Sequence, residues 1–473
     1  MYAFGIKSIT AALQIALLCN HKIQLTPFII IMRKHSVLAW SMVVALGGFL
    51  FGFDTAVISG AEKSIQQFWH LSVVEHGLTI SIALIGTVIG SLFGARPSDM
   101  FGRKNTLYFV AAAYLLSSVG TALADNWYVF LVFRLLGGLG VGISSVTAPI
   151  YISEVSPADR RGRLVGLFQF NVVLGILISY LSNYLISQGG EASWRWMLGV
   201  QAFPSALFLV LIYFIPESPR WLILKKGEMV KALKILRVIN PLNCDQELEA
   251  IKNSSLSEGS ATSTNLFSGQ YKTPVVLAVL FAFFNQVSGI NAIIYYAPRI
   301  FEMAGLGAHS SLLSTVGLGA INFIFTLLAI NVIDKVGRRI LMLIGSVGLI
   351  VSLFLVAYTF YSGHLSGFAI PAYMMLFIAF FAFSQGAVIW VFISEIFPNQ
   401  VRAKGQTLGS STHWIMAALI AFSFPYFAEK LGGTITFSFF GTMMICQLIF
   451  VWKFMPETKG RSLEQIETNM VMH

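Results

Sequence analysis

From Ser36 onward, apolar runs of about twenty residues alternate with short polar loops. The runs cover 36–58, 77–95, 105–124, 127–152, 164–187 and 197–215, then 273–298, 310–333, 340–361, 368–394, 405–428 and 434–454. Each is long enough to cross a hydrocarbon core of about 30 Å as a helix. Between the sixth and seventh lies a polar interval, 217–272, in which "KALKILRVI" and "DQELEAIK" have helical spacing. These predict short amphipathic helices, followed by a flexible linker in "SSLSEGSATSTN". At the start, "ITAALQIALLC" (9–19) is too short to span, and no small-residue cleavage site stands out. "RKHS" follows Met32 as a positive flank for the first span, so residues 1–31 read as a dispensable extension or a misplaced start. The pattern predicts an all-α membrane protein: a six-helix half over 32–216, a linker over 217–272, a second half over 273–456 and a tail over 457–473.

Composition agrees. The 473 residues are 56% hydrophobic and only 11% charged, with a mean hydropathy of +0.75, which a soluble protein of this length does not sustain. Cys19, Cys244 and Cys446 are too few and too scattered for a disulfide framework or a metal site. The net charge of +10 could indicate nucleic acid, but its placement argues otherwise. Basic residues gather in loops on alternating sides of the runs: Arg96, Arg103 and Lys104; Arg160, Arg161 and Arg163; Lys335, Arg338 and Arg339; Arg402 and Lys404. The positive-inside rule puts these loops, and both termini, in the cytoplasm. Short outer loops without glycosylation sequons point to a bacterial inner (plasma) membrane, and "NSS" at 253–255 falls on the cytoplasmic side.

The halves repeat. "DMFGRK" at 99–104 matches "DKVGRR" at 334–339, "ISEVSPADRRGR" at 152–163 recurs as "ISEIFPNQVRAK" at 393–404, and "PESPR" at 216–220 echoes "PETKG" at 456–460. The offsets are 235, 241 and 240 residues, so one six-span unit is duplicated in the same orientation. Parallel six-span repeats are the architecture of the major facilitator superfamily, whose substrates bind at mid-membrane between the halves.

Polar residues on apolar spans are the candidate chemistry. Span seven carries Asn285, Gln286 and Asn291 on an otherwise uncharged stretch, and Gly289 allows a break that turns several inward. Gln169 and Asn322 supply further amides, each able to donate to and accept from a polar solute. Trp390 and Trp414 offer flat apolar faces, and Phe51 can line the same cavity. A lone membrane amide is more often glue between helices. No nucleophile triad, metal-ligand spacing or phosphate loop rises above chance, His364 and His413 are isolated, and an enzyme is not expected.

Two charges stand out inside the spans. Asp54 and Arg134 lie about six and seven residues from the outer ends of spans one and four, about 10 Å deep at 1.5 Å per residue. They can pair, and Gly137, Gly138, Gly140 and Gly142 allow close helix approach. A carboxylate facing an arginine is held ionised, and one moved away in a dry site takes up a proton. Protonation from outside would then break the pair, loosen span one against span four and favour the inward-facing state.

As a set, "GRK", "PESPRW", "NQVSGINAIIYYAP", "GRR" and "PETKG" appear in the order of the sugar porter family, which the chain resembles from Met32 to its end, with motifs nearest the bacterial proton/xylose-type symporters. The resemblance implies sugar-binding positions at Gln169, Gln286, Asn291, Asn322, Trp390 and Trp414, and outer-gate tyrosines at Tyr295 and Tyr296. It also implies a cytoplasmic gate of salt bridges from Asp99, Arg103, Glu154, Arg161, Glu217, Arg220, Asp334, Arg338, Glu395, Arg402 and Glu457. There are departures: Asn285 stands where a glutamine is common, His413 where another amide is frequent, and Ala417 where asparagine is expected. Pro97 changes the wording before Asp99, and 386–390 lacks the prolines of animal facilitators. The implied function is proton-coupled symport of a monosaccharide, a pentose such as xylose or a hexose, by a monomer without cofactor. A facilitative uniporter is the alternative. A non-transporting sensor is the third reading, against which stands the tail of about 17 residues after Pro456.

Overall fold

The computed structural model describes residues 27–157, 159–190, 192–258, 265–363, 367–398 and 400–459. Residues 9–19, Cys19 and His364 lie outside the described residues, as does most of the expected tail. All twelve apolar runs are helical. The first half contains α1 (Pro27–Phe68), α2 (Val73–Phe93), α3 (Arg103–Leu123), α4 (Trp127–Glu154), α5 (Arg161–Ile186) and α6, which comes in two pieces, Ser193–Gly199 and Ala202–Leu211. The second contains α7a (Lys272–Val287) and α7b (Ile290–Met303), α8 (Ala308–Val336), α9 (Arg338–Ser362), α10a (Ala369–Phe383) and α10b (Gln385–Glu395), α11 (Arg402–Lys430) and α12 (Gly432–Phe454). Among the described residues, eleven helices are long and apolar enough to cross a membrane. The exception is α11: its 29 residues span by length, but Gln406, Thr407, Ser410, Ser411, Thr412 and His413 lower its apolarity. It packs on α2 and α7a; of these residues only His413 is buried, and the Thr407, Ser411 and Thr412 hydroxyls donate to carbonyls one turn back in the same helix.

The protein is a multi-pass membrane protein, and its surface shows why. Leu123, Phe203 and Phe368 are exposed on its outside, while serines and threonines are buried. Those hydroxyls donate to carbonyls one turn back in their own helices, as Thr79 does to Glu75 O (2.7 Å) and Ser352 to Gly348 O (2.8 Å). Local chemistry sets the ends. Ser72 caps α2 in a reciprocal box with Glu75, and Asn126 Oδ1 accepts from Tyr128 N at 2.8 Å at the start of α4.

Within the first half α1 lies on α5 and α2 on α4; across the halves α2 meets α11 and α5 meets α8. A Cβ on Gly138 would lie 1.9 Å from Ala83 O, so α2 and α4 touch backbone to backbone there. The interval after α6 folds into the helices Pro219–Trp221, Met229–Ile239 and Cys244–Glu258, whose apolar faces meet around Trp221, Leu233, Leu236 and Leu248. Several boundaries differ from the sequence reading, among them the start of α1 at Pro27 rather than 36 and of α6 at Ser193 rather than 197. α1 runs to Phe68 rather than 58, α2 begins at Val73 rather than 77, and α7b continues to Met303 rather than 298. Asp54 therefore lies some fourteen residues from the end of its helix instead of six.

Candidate functional site

The centre of the molecule is built on a broken helix. α7 stops at Val287, Gly289 adopts the left-handed region (φ 87°), and α7b restarts at Ile290. The break closes an amide chain that a continuous helix would splay. Gln286 Nε2 donates to Asn285 Oδ1 (2.9 Å), and Asn291 Nδ2 donates to Gln286 Oε1 (2.6 Å). Gln286 Nε2 also lies 3.2 Å from the ring nitrogens of His413 on α11. The His413 ring sits 4.8 Å from Trp390 and 4.9 Å from Trp414, and Phe51 of the first half reaches Trp414 at 5.7 Å. Amides and aromatic faces thus meet where the halves meet. Trp390 is 38% exposed whereas Trp414 is buried. Gln169 and Asn322 flank the α5–α8 seam, where Phe170 and Phe323 pack at 5.4 Å, and neither makes a hydrogen bond to another described residue.

The structure extends this network beyond the expected residues. α10 breaks at Ser384 (φ −119°, ψ −88°), and the carbonyl of Gln385 faces Asn285 Nδ2 at 3.5 Å. Gln385 Nε2 donates to Gln447 Oε1 on α12 at 2.6 Å. Gln447 was legible as an amide in an apolar run; the α10 break had no glycine or proline at 384–385 to announce it.

Asp54 and Arg134 are in contact: Arg134 Nη1 donates to Asp54 Oδ1 at 3.1 Å, with side chains 4% and 2% exposed. Arg134 Nε and Nη2 are buried without a hydrogen-bond partner among the described residues. Gly137 of α4 brings α3 close beside the pair, since a Cβ there would stand 2.4 Å from Ser117 Oγ, while Asp54 Oδ1 lies at ordinary contact distance, 3.6 Å. The shorter helix count was wrong for α1, yet the residues meet, because α1 projects beyond the start of α4. Tyr295, from the second half, is buried and within electrostatic reach of both charges. Tyr296 is fully buried and donates to Ala421 O (2.9 Å).

At the basic end each half carries the same clasp. Arg103 binds Glu154 through Nε (2.9 Å) and Nη2 (3.1 Å) and Asp99 through Nη1 (3.0 Å). Glu217 accepts from the backbone of Arg103 (3.0 Å) and Lys104 (3.2 Å), capping α3. In the second half Arg338 binds Glu395 (2.8 Å) and Asp334 (2.9 Å), and Glu457 accepts from the backbone of Arg338 (3.0 Å) and Arg339 (3.1 Å). Gly102 and Gly337 hold φ 96° and 101°; a Cβ would stand 2.3 Å from the Glu217 carboxylate in one and 2.6 Å from that of Glu457 in the other. Burial pushes Glu217 above the usual carboxylate range, against the opposing pull of its backbone donors and Arg103. Arg161 and Arg402 stand apart from these pairs, their Nε atoms donating to Ser153 O (3.1 Å) and Phe397 O (3.3 Å). Arg220 lies in the short helix after Glu217.

The opposite ends of the halves are closed. Arg299 Nε donates to Glu62 Oε1 at 3.0 Å, Lys63 pairs with Glu302, and Tyr180 Oη donates to Ile294 O at 2.9 Å. All three contacts join one half to the other. Sequence reasoning missed Glu62 and Arg299, which it had left in loops.

Comparison with known proteins follows the same outline. A family model described as "Sugar (and other) transporter" matches residues 40–470. The Arabinose-proton symporter of Bacillus subtilis is 37% identical, the alignment covering 95% of this chain and 98% of that one. The D-xylose-proton symporter of Escherichia coli K12 is 36% identical over 90% of this chain and 94% of its own. The inward open conformation of the xylose transporter XylE from E. coli superposes with a TM-score of 0.81 at 33% identity, covering 92% of this chain and 99% of that chain.

Proposed function

The chain belongs to the sugar transporter family, and we propose from that premise that it carries a monosaccharide into the cell together with a proton. The observation that carries the reading is the buried Asp54–Arg134 pair, with Tyr295 of the opposite half beside it on the helix that also holds Asn291. One helix, α7b, thereby carries both Asn291 of the amide cluster and a tyrosine within electrostatic reach of the acid. Sugar would sit among Gln169, Asn285, Gln286, Asn291, Asn322, Trp390, Trp414 and Phe51, with hydroxyls on the amides and a C–H face on the rings. Tyr295 and Tyr296 would close over it from outside. A proton on Asp54 would cancel its attraction to Arg134 and free α1 to move against α4.

The basic end is the cytoplasmic end in this reading, so the contacts that join the halves at the opposite ends correspond to a state closed to the outside. The clasps at Arg103 and Arg338, with Arg161, Arg220 and Arg402 nearby, would form the inner gate. Residues 32–216 and 273–456 would rock as two bodies about the site, tied by 217–272, in a monomer of the inner membrane. Named relatives transport xylose, arabinose and glucose, which supports a pentose or hexose. The test is uptake into proteoliposomes of labelled pentoses, hexoses and inositol, with and without an imposed proton gradient. Accumulation of one sugar above its outside concentration, driven by protons, is expected. Equilibration without accumulation would leave a uniporter, and binding without uptake a sensor.

A further inference from the structure

A second buried charge cluster lies at the outer ends of the same helices. Glu62 of α1 is 1% exposed and divides its carboxylate between two partners. Oε1 accepts from Arg299 of the second half at 3.0 Å, while Oε2 lies 2.8 Å from Nε2 of His76 on α2, within ion-pair distance but off the angle of a hydrogen bond. His76 is fully buried, and neither of its ring nitrogens has a hydrogen-bond partner among the described residues. Arg299 is further held by Gln66. The other groups facing the cluster are Lys63 of α1 and Glu302 of α7b, paired with each other, and Tyr296 of α7b, whose ring meets His76 at 6.0 Å and whose hydroxyl is taken by Ala421 O on α11. Glu75 on α2 is turned away, closing the cap at Ser72. On the α11 side, Gly77 abuts the backbone of Phe422.

With the outer ends closed, Arg299 balances the charge of Glu62. Arg299 belongs to the half that swings away when the outer ends part, whereas His76 stays on the half that carries Glu62. A buried carboxylate left without its guanidinium favours the charged form of an imidazole beside it. We propose that Glu62 exchanges Arg299 for protonated His76 as the outer ends open, making outer opening proton-linked independently of Asp54. This rests on the alternating-access reading above. Glu62 and His76 are positioning residues in it: they set how readily α7b, which bears Asn291 and Tyr295, leaves α1, and they touch no sugar. Acid outside favours the sugar-accepting state, and closure returns the proton.

The test measures the outer gap directly. Spin labels replace the exposed residues Gln67 and Met303, which flank the cluster on α1 and α7b, in the full chain with its three cysteines changed to serine and reconstituted in lipid. Distances are recorded from pH 5.5 to 8 in the Asp54→Asn background, which removes the other titrating acid. The open, long-distance population is expected to rise about threefold or more per pH unit of acidification, against a tenfold ceiling for one linked proton. That dependence should vanish on adding His76→Gln, and Arg299→Gln should raise the open population at every pH. Glu62→Gln serves as an independent variant should His76→Gln not fold, with the same expectation. A slope that persists in both variants, or none in Asp54→Asn alone, overturns the proposal. The readout involves no sugar, so failure of the symport reading shows separately, as absent proton uptake on sugar addition by the unlabelled wild type.

Discussion

Replacing Asp54 by Asn removes the charge and keeps the shape. The pair it disrupts is 3.1 Å long between side chains 4% and 2% exposed, so solvent screens it little. Arg134 already has Nε and Nη2 without partners, and the mutation strands its guanidinium with no anion. Breaking a buried pair from one side costs about 3–5 kcal/mol; the Asn oxygen, at the place of Oδ1, recovers part of that. The variant should therefore fold but melt earlier, and Asp54→Asn/Arg134→Leu should regain stability. Transport gives the larger effect. One proton moved down a unit of pH gradient and 100 mV carries about 1.4 plus 2.3 kcal/mol, enough for about 500-fold sugar accumulation. In proteoliposomes under those gradients, Asp54→Asn should fall to a ratio of one. Counterflow exchange, which needs no net proton movement, should survive. Uphill accumulation by Asp54→Asn at anything near the wild-type ratio would remove Asp54 from the coupling.

Other consequences are as direct. A Cβ on Gly77 would lie 2.4 Å from Phe422 O across the halves, so Gly77→Val should hold the outer ends apart; sugar then binds from outside without uptake, and normal uptake would refute the contact. His413→Ala takes a partner from Gln286 and a ring from the tryptophans, and should weaken sugar binding about tenfold, about 1.4 kcal/mol, by calorimetry. Glu217 is raised by burial from 4.5, so the folded state holds its proton more tightly than the unfolded chain. Its contribution is fully present below about pH 4.5 and lost as pH rises through the folded value. The melting temperature of wild type relative to Glu217→Gln should therefore climb as pH falls from 7 toward 4.5, and a flat difference would contradict the burial.

Much of this was legible in the chain because a membrane allows so few solutions. Apolar length gave the twelve helices, the repeated motifs gave the two halves, and isolated charges at Asp54 and Arg134 announced a pair. What escaped depended on contacts between distant segments. Glu62, Lys63 and Gln66 looked like the end of a span, since polar residues end spans; α1 continues through them because Arg299 and Glu302 of the other half receive them. At the α10 break Ser384 packs against Gly345 of α9, where a Cβ would stand 1.9 Å from its hydroxyl, a contact between distant segments that local sequence does not announce. α11 read as apolar by its middle, yet its first half is polar, with Gln406 and Thr407 exposed and His413 buried.

The acid that fastens each clasp, Glu217 in one half and Glu457 in the other, comes from the segment just after the sixth helix of its own half. Each clasp is thus fastened by the last part of its own bundle to leave the ribosome, and its partners among the described residues all come from that bundle. Synthesis can close the first clasp before the second half exists, so the two halves made as separate polypeptides in the same cell should each form their own clasp.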